Sequence, residues 1–332
     1  MARSYRSTPV ALAGLLTLMM LAACGTTDPP QEESTEPPGE AVTITDGRGE
    51  SITLPEGPAD RVVTLEWVQT EMVTSLGVNP VGVADVEGYQ SWVGAVVPLT
   101  DDPTDVGIRR EPSIEAIAEL EPDLILGSLD SVPQEAMDQM ERIAPVALLA
   151  GADAGDPLQR IEEDFTTVAT LVGAQQEAQD LVADLEERVA ANTTRIEDAG
   201  LTGTPIVFTA PHVEGANVTI RMHGPGSAPQ AVAEQMGLTA AWEDAGDEAF
   251  GLSNIDLEGL TELPEDTRFL YWGNEDTEDP VQTGMAGNPV WESLPFVQEG
   301  HVHEAAVGIW VYGGPESLGA WSDDLVSHLE AE

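Results

Sequence analysis

Side chains able to do covalent or metal chemistry are scarce in this chain, so their spacing is the first thing to test. Cys24 is the single cysteine and has no disulfide partner. His301 and His303 alternate around Val302, so on a strand both rings would share one face and supply half of a metal site. No third and fourth ligand accompanies them at metal-binding spacing, and the plainer reading is two surface histidines. The sequence holds no G-x-S-x-G elbow, no H-E-x-x-H helix and no cysteine for a catalytic dyad. All twelve basic residues are arginine. Without lysine there is no Walker A amine, no Schiff base and no Ser-x-x-Lys nucleophile pair. Nothing here argues for an enzyme.

Binding chemistry fares better. In Asp105-Val106-Gly107-Ile108-Arg109-Arg110-Glu111-Pro112-Ser113, Gly107 permits a turn and Pro112 presets φ. Ser113 can then cap a helix beginning near Ile114, with Glu115 in its first turn. Arg109 falls on the loop, where its planar fork suits oxygen ligands. Pairing with one of the sixty acidic side chains is the alternative reading. A second candidate stretch is Ala305 to Ala320, where Trp310, Tyr312 and Gly313-Gly314 lie between a strand and the last helix. Rings beside a Gly-Gly turn can face a ligand, while Leu318, Trp321 and Leu325 continue as a core stripe.

The elements that must position these loops read as α/β. Apolar runs at 61–65, 80–84, 123–126 and 145–149 predict one set of strands, and runs at 205–209, 267–272 and 300–304 a second. Between the sets, Ala178, Leu181, Val182, Leu185, Val189 and Ile196 recur at helical spacing, and Gly173 divides that stretch in two. The expected architecture is two α/β lobes joined by one long helix, with a ligand cleft between them. The expected divisions are an N-terminal lobe over 41–157, a helical connector over 158–202 and a C-terminal lobe over 203–332.

Ahead of the lobes, Arg3 and Arg6 precede a mostly apolar run from Val10 to Leu21 that ends in Leu21-Ala22-Ala23-Cys24. The run is too short to span a bilayer and suits a signal peptide over 1–23. It resembles a bacterial lipobox, which implies lipidation of Cys24 and a chain anchored to the outer face of the cell membrane. Residues 24–40, rich in proline and acid, read as a disordered tether.

Charge bounds the partners. Sixty Asp and Glu against twelve Arg give a net charge of −48, which repels phosphate backbones and argues against nucleic acid. Such a surface suits high salt, where screening over a few ångströms makes self-repulsion tolerable.

Five segments in order resemble the ferric-siderophore binding lipoproteins of ABC importers, the ferric-hydroxamate binders in particular. They are Thr64-Leu65-Glu66-Trp67 with the stretch 76–85, then 105–112, 120–126, Asn288 to Val297, and Ile309-Trp310-Val311-Tyr312-Gly313-Gly314-Pro315. The resemblance implies two lobes on one long helix, with no catalytic activity and no cofactor. The ligand it implies is an Fe(III)-siderophore whose own atoms hold the iron. Arg109 would donate to iron-bound hydroxamate oxygens, with Trp67, Trp242, Phe250, Trp310 and Tyr312 lining the cleft. A tyrosine that partners the arginine in hydroxamate binders has no counterpart at Asp130-Ser131. Glu115 and Asp256 would dock on the permease of the importer, whose ATPase drives uptake, and the binding protein would act as a monomer.

Charge also bears on the ligand. Ferric tris-catecholates are trianions, while ferric hydroxamates are often neutral or cationic, so an acidic body favours hydroxamates. Arg109, Arg110 and Arg221 can still form a locally basic pocket. Cobalamin or haem binding in the same transporter class, and a surface-tethered enzyme with a metal at His301 and His303, are the alternative readings.

Overall fold

Apolar runs in the sequence become the inner strands of two separate sheets. The computed structural model describes residues 40–129, 131–215, 217–273 and 278–331. Contacts divide the chain into Met1–Pro37 and Pro38–Glu332, and every element described here belongs to the second part. The signal peptide, Cys24 and nearly all of the tether lie outside the described residues.

The first sheet is fully parallel, in the order Thr104–Asp105, Gly82–Val83, Val62–Thr64, Leu124–Ser128 and Val146–Leu149. Apart from the exposed edge strand Thr104–Asp105, its strands are almost wholly buried, as parallel strands flanked by helices require. Leu124 and Leu126 face a cluster with Met72 of helix Trp67–Ser75 and Phe165 of helix Pro157–Val172. Ile125, pointing the other way, packs with Ile117 of helix Ile114–Glu119 and Met137 of helix Gln134–Met140. The period of two along the strand is thus what sorts the core into two layers.

The second sheet is mixed. Pro205–Glu214, Arg268–Trp272 and Val302–Ala305 run parallel, while Asn217–His223 and Leu252–Ile255 continue it antiparallel from the other edge of Pro205–Glu214. Thr239–Ala240 makes a short parallel pairing with Pro205 and Ile206. Phe208 and Leu270 pack under helices Ala228–Gln235 and Pro315–Glu330; Val207 and Phe269 face Trp291 and Phe296 on the other side. Trp321 is fully buried, and its indole N–H donates to the Pro229 carbonyl at 3.0 Å, so the predicted core stripe is where it was expected.

Between the sheets, helix Pro157–Val172 stops at Gly173, whose φ of 74° is the left-handed conformation that glycine tolerates at a helix end. Helix Gln175–Asp198 follows, 24 residues long. Ala178, Leu181 and Val182 in its first half pack into the core of the first sheet. Leu185, Val189 and Ile196 in its second half pack into the core of the second. One continuous helix therefore belongs to both lobes. Polar ties fasten its second half to the last helix: Arg188 pairs with Asp323 at 2.7 Å and Arg195 with Glu330 at 2.7 Å. Asn192 donates to Asp323 at 2.7 Å.

Candidate ligand-binding site

In open α/β sheets, the carboxyl ends of parallel strands leave a crevice that loops can line. In the first lobe, Val62–Thr64 leads into Glu66 and Trp67, and Thr104–Asp105 leads into the turn bearing Arg109. In the second, Val302–Ala305 leads toward Trp310 and Tyr312. The strand directions thus deliver the expected loops.

Arg109 and Arg110 form the two-residue turn of a small hairpin in which Gly107 pairs with Pro112 and Ile108 with Glu111. Gly107 has φ +99°, and a Cβ there would lie 2.9 Å from the Glu111 carbonyl oxygen, so glycine is what the hairpin needs. Ser113 caps the next helix, its Oγ accepting from the Ala116 N–H at 3.3 Å.

The Arg109 guanidinium lies over the Trp67 ring, 3.9 Å from its centroid, and donates through Nη1 to Glu66 Oε2 at 3.0 Å. Stacking and ion pairing together fix its orientation while leaving 34% of its side chain exposed. Arg109 is thus paired with an acid, as the alternative reading had it, and part of its side chain still faces outward. Burial raises the Glu66 carboxyl above its ordinary value, while Arg109 and then Arg110 draw it back down.

From Trp67 a run of ring contacts crosses to the second lobe. Trp67 meets Trp310 edge-on at 4.9 Å; Trp310 contacts Trp272 at 5.1 Å and Tyr312 at 5.3 Å; Tyr312 meets Phe250 at 5.4 Å. Trp92 closes the cluster against Trp272 at 5.3 Å. Phe250 is 40% exposed, so the run ends on an open aromatic face.

Tyr312 is held by a buried histidine. His223 Nδ1 lies 3.1 Å from the Phe208 carbonyl oxygen, which only accepts, so the ring proton sits on Nδ1. Nε2 then accepts from the Tyr312 hydroxyl at 2.8 Å. Burial pushes His223 down to about 3, assisted by nearby Arg221, so the ring stays neutral. Burial likewise pushes Tyr312 up to about 12, against the opposing pull of the nearby Arg221 cation. Arg221 itself is exposed.

The structure therefore brings together Arg109, Trp67, Trp310, Tyr312, Phe250 and Arg221. It places Trp242 elsewhere: only 9% exposed, packed with Leu257 and Leu260, its indole N–H donating to Ser253 Oγ at 2.9 Å. Ser131 closes a buried turn, its Oγ accepting from the Ser128 N–H and donating to the Ser128 carbonyl, each at 3.0 Å; Asp130 lies outside the described residues. Glu115 is exposed in a first helical turn. Asp256 stands two residues ahead of the short helix Glu258–Glu262, accepting from the Gly259 N–H at 3.1 Å rather than lying within that turn.

His303 packs its ring 5.1 Å from His328, and no cluster of three or more potential metal ligands exists among the described residues.

Two lobes joined by a shared helix, with an aromatic crevice at the strand ends, define a solute-binding protein. The periplasmic binding protein family matches residues 62–306, and the chain belongs to it. The iron(3+)-hydroxamate-binding protein FhuD of Escherichia coli is 28% identical over 255 residues, 76% of this chain and 81% of that one. A putative ABC transporter substrate-binding lipoprotein of Bacillus subtilis, YhfQ, is 28% identical over 313 residues, 92% of each chain. The structure of FhuD from Vibrio cholerae with Fe3+-Desferal bound superposes with a TM-score of 0.71 at 30% identity, covering 82% of this chain and 98% of that one. Members of this family bind solutes and are not enzymes, so the alternative of a metal-dependent enzyme is set aside.

Sequence reasoning passed over Glu66, Trp92, Trp272 and His223. Trp272 lies inside a predicted strand and is itself buried, so nothing in the linear pattern distinguishes a ring that backs Trp310 from any other core residue. Glu66 was one acid among sixty.

Proposed function

We propose that this chain is an extracytoplasmic binding protein that captures an Fe(III)-siderophore of the hydroxamate type and delivers it to an ABC import permease. The observation that carries this reading is Arg109, stacked on Trp67 and partly exposed beside an aromatic run that spans both lobes. Such a surface offers charge-assisted donors to metal-bound oxygens and ring faces to the organic shell of the ligand. The relative that shares 30% identity over 98% of its length holds a ferric tris-hydroxamate, Fe3+-Desferal.

Under this reading the iron is held by the siderophore, Trp67, Trp310, Tyr312 and Phe250 supply contact area, and Arg221 adds a second cation at the Tyr312 end. Glu115 and Asp256 are the acidic contacts offered to permease arginines, and Cys24 carries the lipid that keeps the monomer at the membrane. The division into lobes over 41–157 and 203–332 with a connector between them belongs to the same proposal.

The test uses the seven native tryptophans. Protein lacking residues 1–23, titrated with ferric desferrioxamine B, should show saturable fluorescence quenching at micromolar concentration or below. Response to haem or cobalamin in place of any ferric siderophore would overturn the assignment.

A further inference from the structure

Glu66 stands where a carboxylate is unexpected in a crevice that offers oxygen-ligand donors. Its Oε2 takes the Arg109 Nη1 hydrogen at 3.0 Å, its side chain is 16% exposed, and it lies at the start of the helix whose first residue is Trp67. The carboxylate thus shares the same end of the crevice as the guanidinium and the indole beneath it. It makes no hydrogen bond that caps the helix, so helix capping does not explain its position.

We infer that Glu66 sets the charge class of the ligand: by neutralising Arg109 it selects a ferric complex of zero or positive net charge over an anionic one. The inference rests on the proposed siderophore role and deepens it. Paired with Glu66, Arg109 keeps its remaining N–H groups as directional donors but contributes no net positive field. A ferric tris-hydroxamate has neutral coordination chemistry, and desferrioxamine B adds a free ammonium. For such a ligand, directional donors suffice and the carboxylate is tolerated or attractive. A ferric tris-catecholate carries three negative charges and meets Glu66 as a like charge at short range. At an effective dielectric near 20, one unit charge several ångströms away changes binding of a charged ligand by about tenfold or more. Arg110, also exposed on the hairpin turn, and Asp85 both act on Glu66, the first drawing its carboxyl down and the second raising it. The local field is therefore balanced rather than basic.

The experiment compares two probes, ferric desferrioxamine B and ferric enterobactin, on wild type, Glu66→Gln and Glu66→Asp at one fixed ionic strength. Wild type should favour the desferrioxamine complex. Glu66→Gln should move the ratio of the two dissociation constants toward the trianion by about tenfold or more, and Glu66→Asp should keep most of the wild-type ratio. A Glu66→Gln ratio equal to wild type, with desferrioxamine still bound and far-UV circular dichroism unchanged, overturns this inference alone. Failure of wild type to bind either ferric complex overturns the siderophore reading and this inference with it. Should Glu66→Gln fold poorly, Glu66→Ala alone and Glu66→Ala combined with Arg109→Ala decide: a shift toward the trianion in the single variant that the double variant reverses supports the charge argument, and no shift in the single variant, or the same shift in both, refutes it.

Discussion

Glu71 Oε1 accepts a hydrogen bond from the Gly314 N–H at 2.9 Å, joining a helix of the first lobe to the start of the last helix in the second. The same oxygen takes the Ser317 N–H at 3.2 Å, and Oε2 takes the Ser317 hydroxyl at 2.9 Å. A carboxylate at a helix N-terminus is well placed for the exposed N–H groups and the positive end of the helix dipole. Yet Glu71 is fully buried, and burial outweighs those donors and raises its carboxyl to about 7, with nearby Glu316 adding to the rise.

That balance predicts a pH-dependent seam between the lobes. The folded-state value lies above the ordinary 4.5, so the folded protein binds more protons than the unfolded chain between those limits. Stability contributed by protonated Glu71 is therefore complete below about 4.5 and is lost as pH rises through about 7. Glu71→Gln preserves shape and an acceptor while removing the titration. Its unfolding free energy from urea titration, relative to wild type, should improve steadily from pH 5 to pH 8, by an amount on the order of a few kcal/mol. Parallel curves for the two proteins would disprove this.

Arg109→Ala removes the stacked guanidinium and releases Glu66 from its 3.0 Å pair. Affinity for ferric desferrioxamine B should fall about tenfold or more, the scale of one charged hydrogen bond. Far-UV circular dichroism should not change, because the hairpin turn is exposed and its backbone pairing does not involve that side chain. Unaltered affinity would remove Arg109 from the site.

Gly308 of the second lobe faces Ala95 of the first. Its φ is +81°, and an added Cβ would come within 2.4 Å of the Ala95 methyl carbon. Gly308→Ala should therefore cost about 1–3 kcal/mol through backbone strain and overpacking. Pairing it with Ala95→Gly should recover the packing share of that loss but not the strain. A thermal unfolding series over wild type, both single variants and the double variant checks it; full additivity of the two changes would contradict the contact.

Salt should hold the fold together. With a net charge of −48, the native state confines mutual repulsion that the unfolded chain relaxes by expanding. Lowering ionic strength from molar to millimolar lengthens screening from about 3 Å to beyond 10 Å. Helical circular dichroism should then decline or the melting temperature drop. A melting temperature independent of salt would count against it.

What could be read in advance followed burial by local pattern. Runs such as Val62–Thr64 and Val146–Leu149 are buried throughout, so uninterrupted apolar residues marked them. Asn217–His223 carries the pattern exposed, half-buried, exposed, buried for its first four residues and contains Arg221, so a search for apolar runs missed it. Trp310 and Tyr312 stood out beside a Gly-Gly pair in the sequence, and the structure packs both, half-buried, against the rim of the second core. Trp242 was grouped with them by resemblance, whereas tertiary packing placed it under Leu257 and Leu260. Glu66 and Glu71 escaped notice because burial distinguishes them from the other carboxylates, and burial is not written locally.

Helix Gln175–Asp198 lends its first half to one hydrophobic core and its second half to the other. Bending between the lobes would have to strain that helix or pull Leu185 and Val189 from their packing. Filled and empty molecules must then present nearly the same outline to whatever receives the cargo. In the proposed transport role, vacant carriers would compete for the permease almost as well as loaded ones. Uptake would saturate with the ratio of full to empty carrier, and making more of this protein without more iron would slow import rather than hasten it.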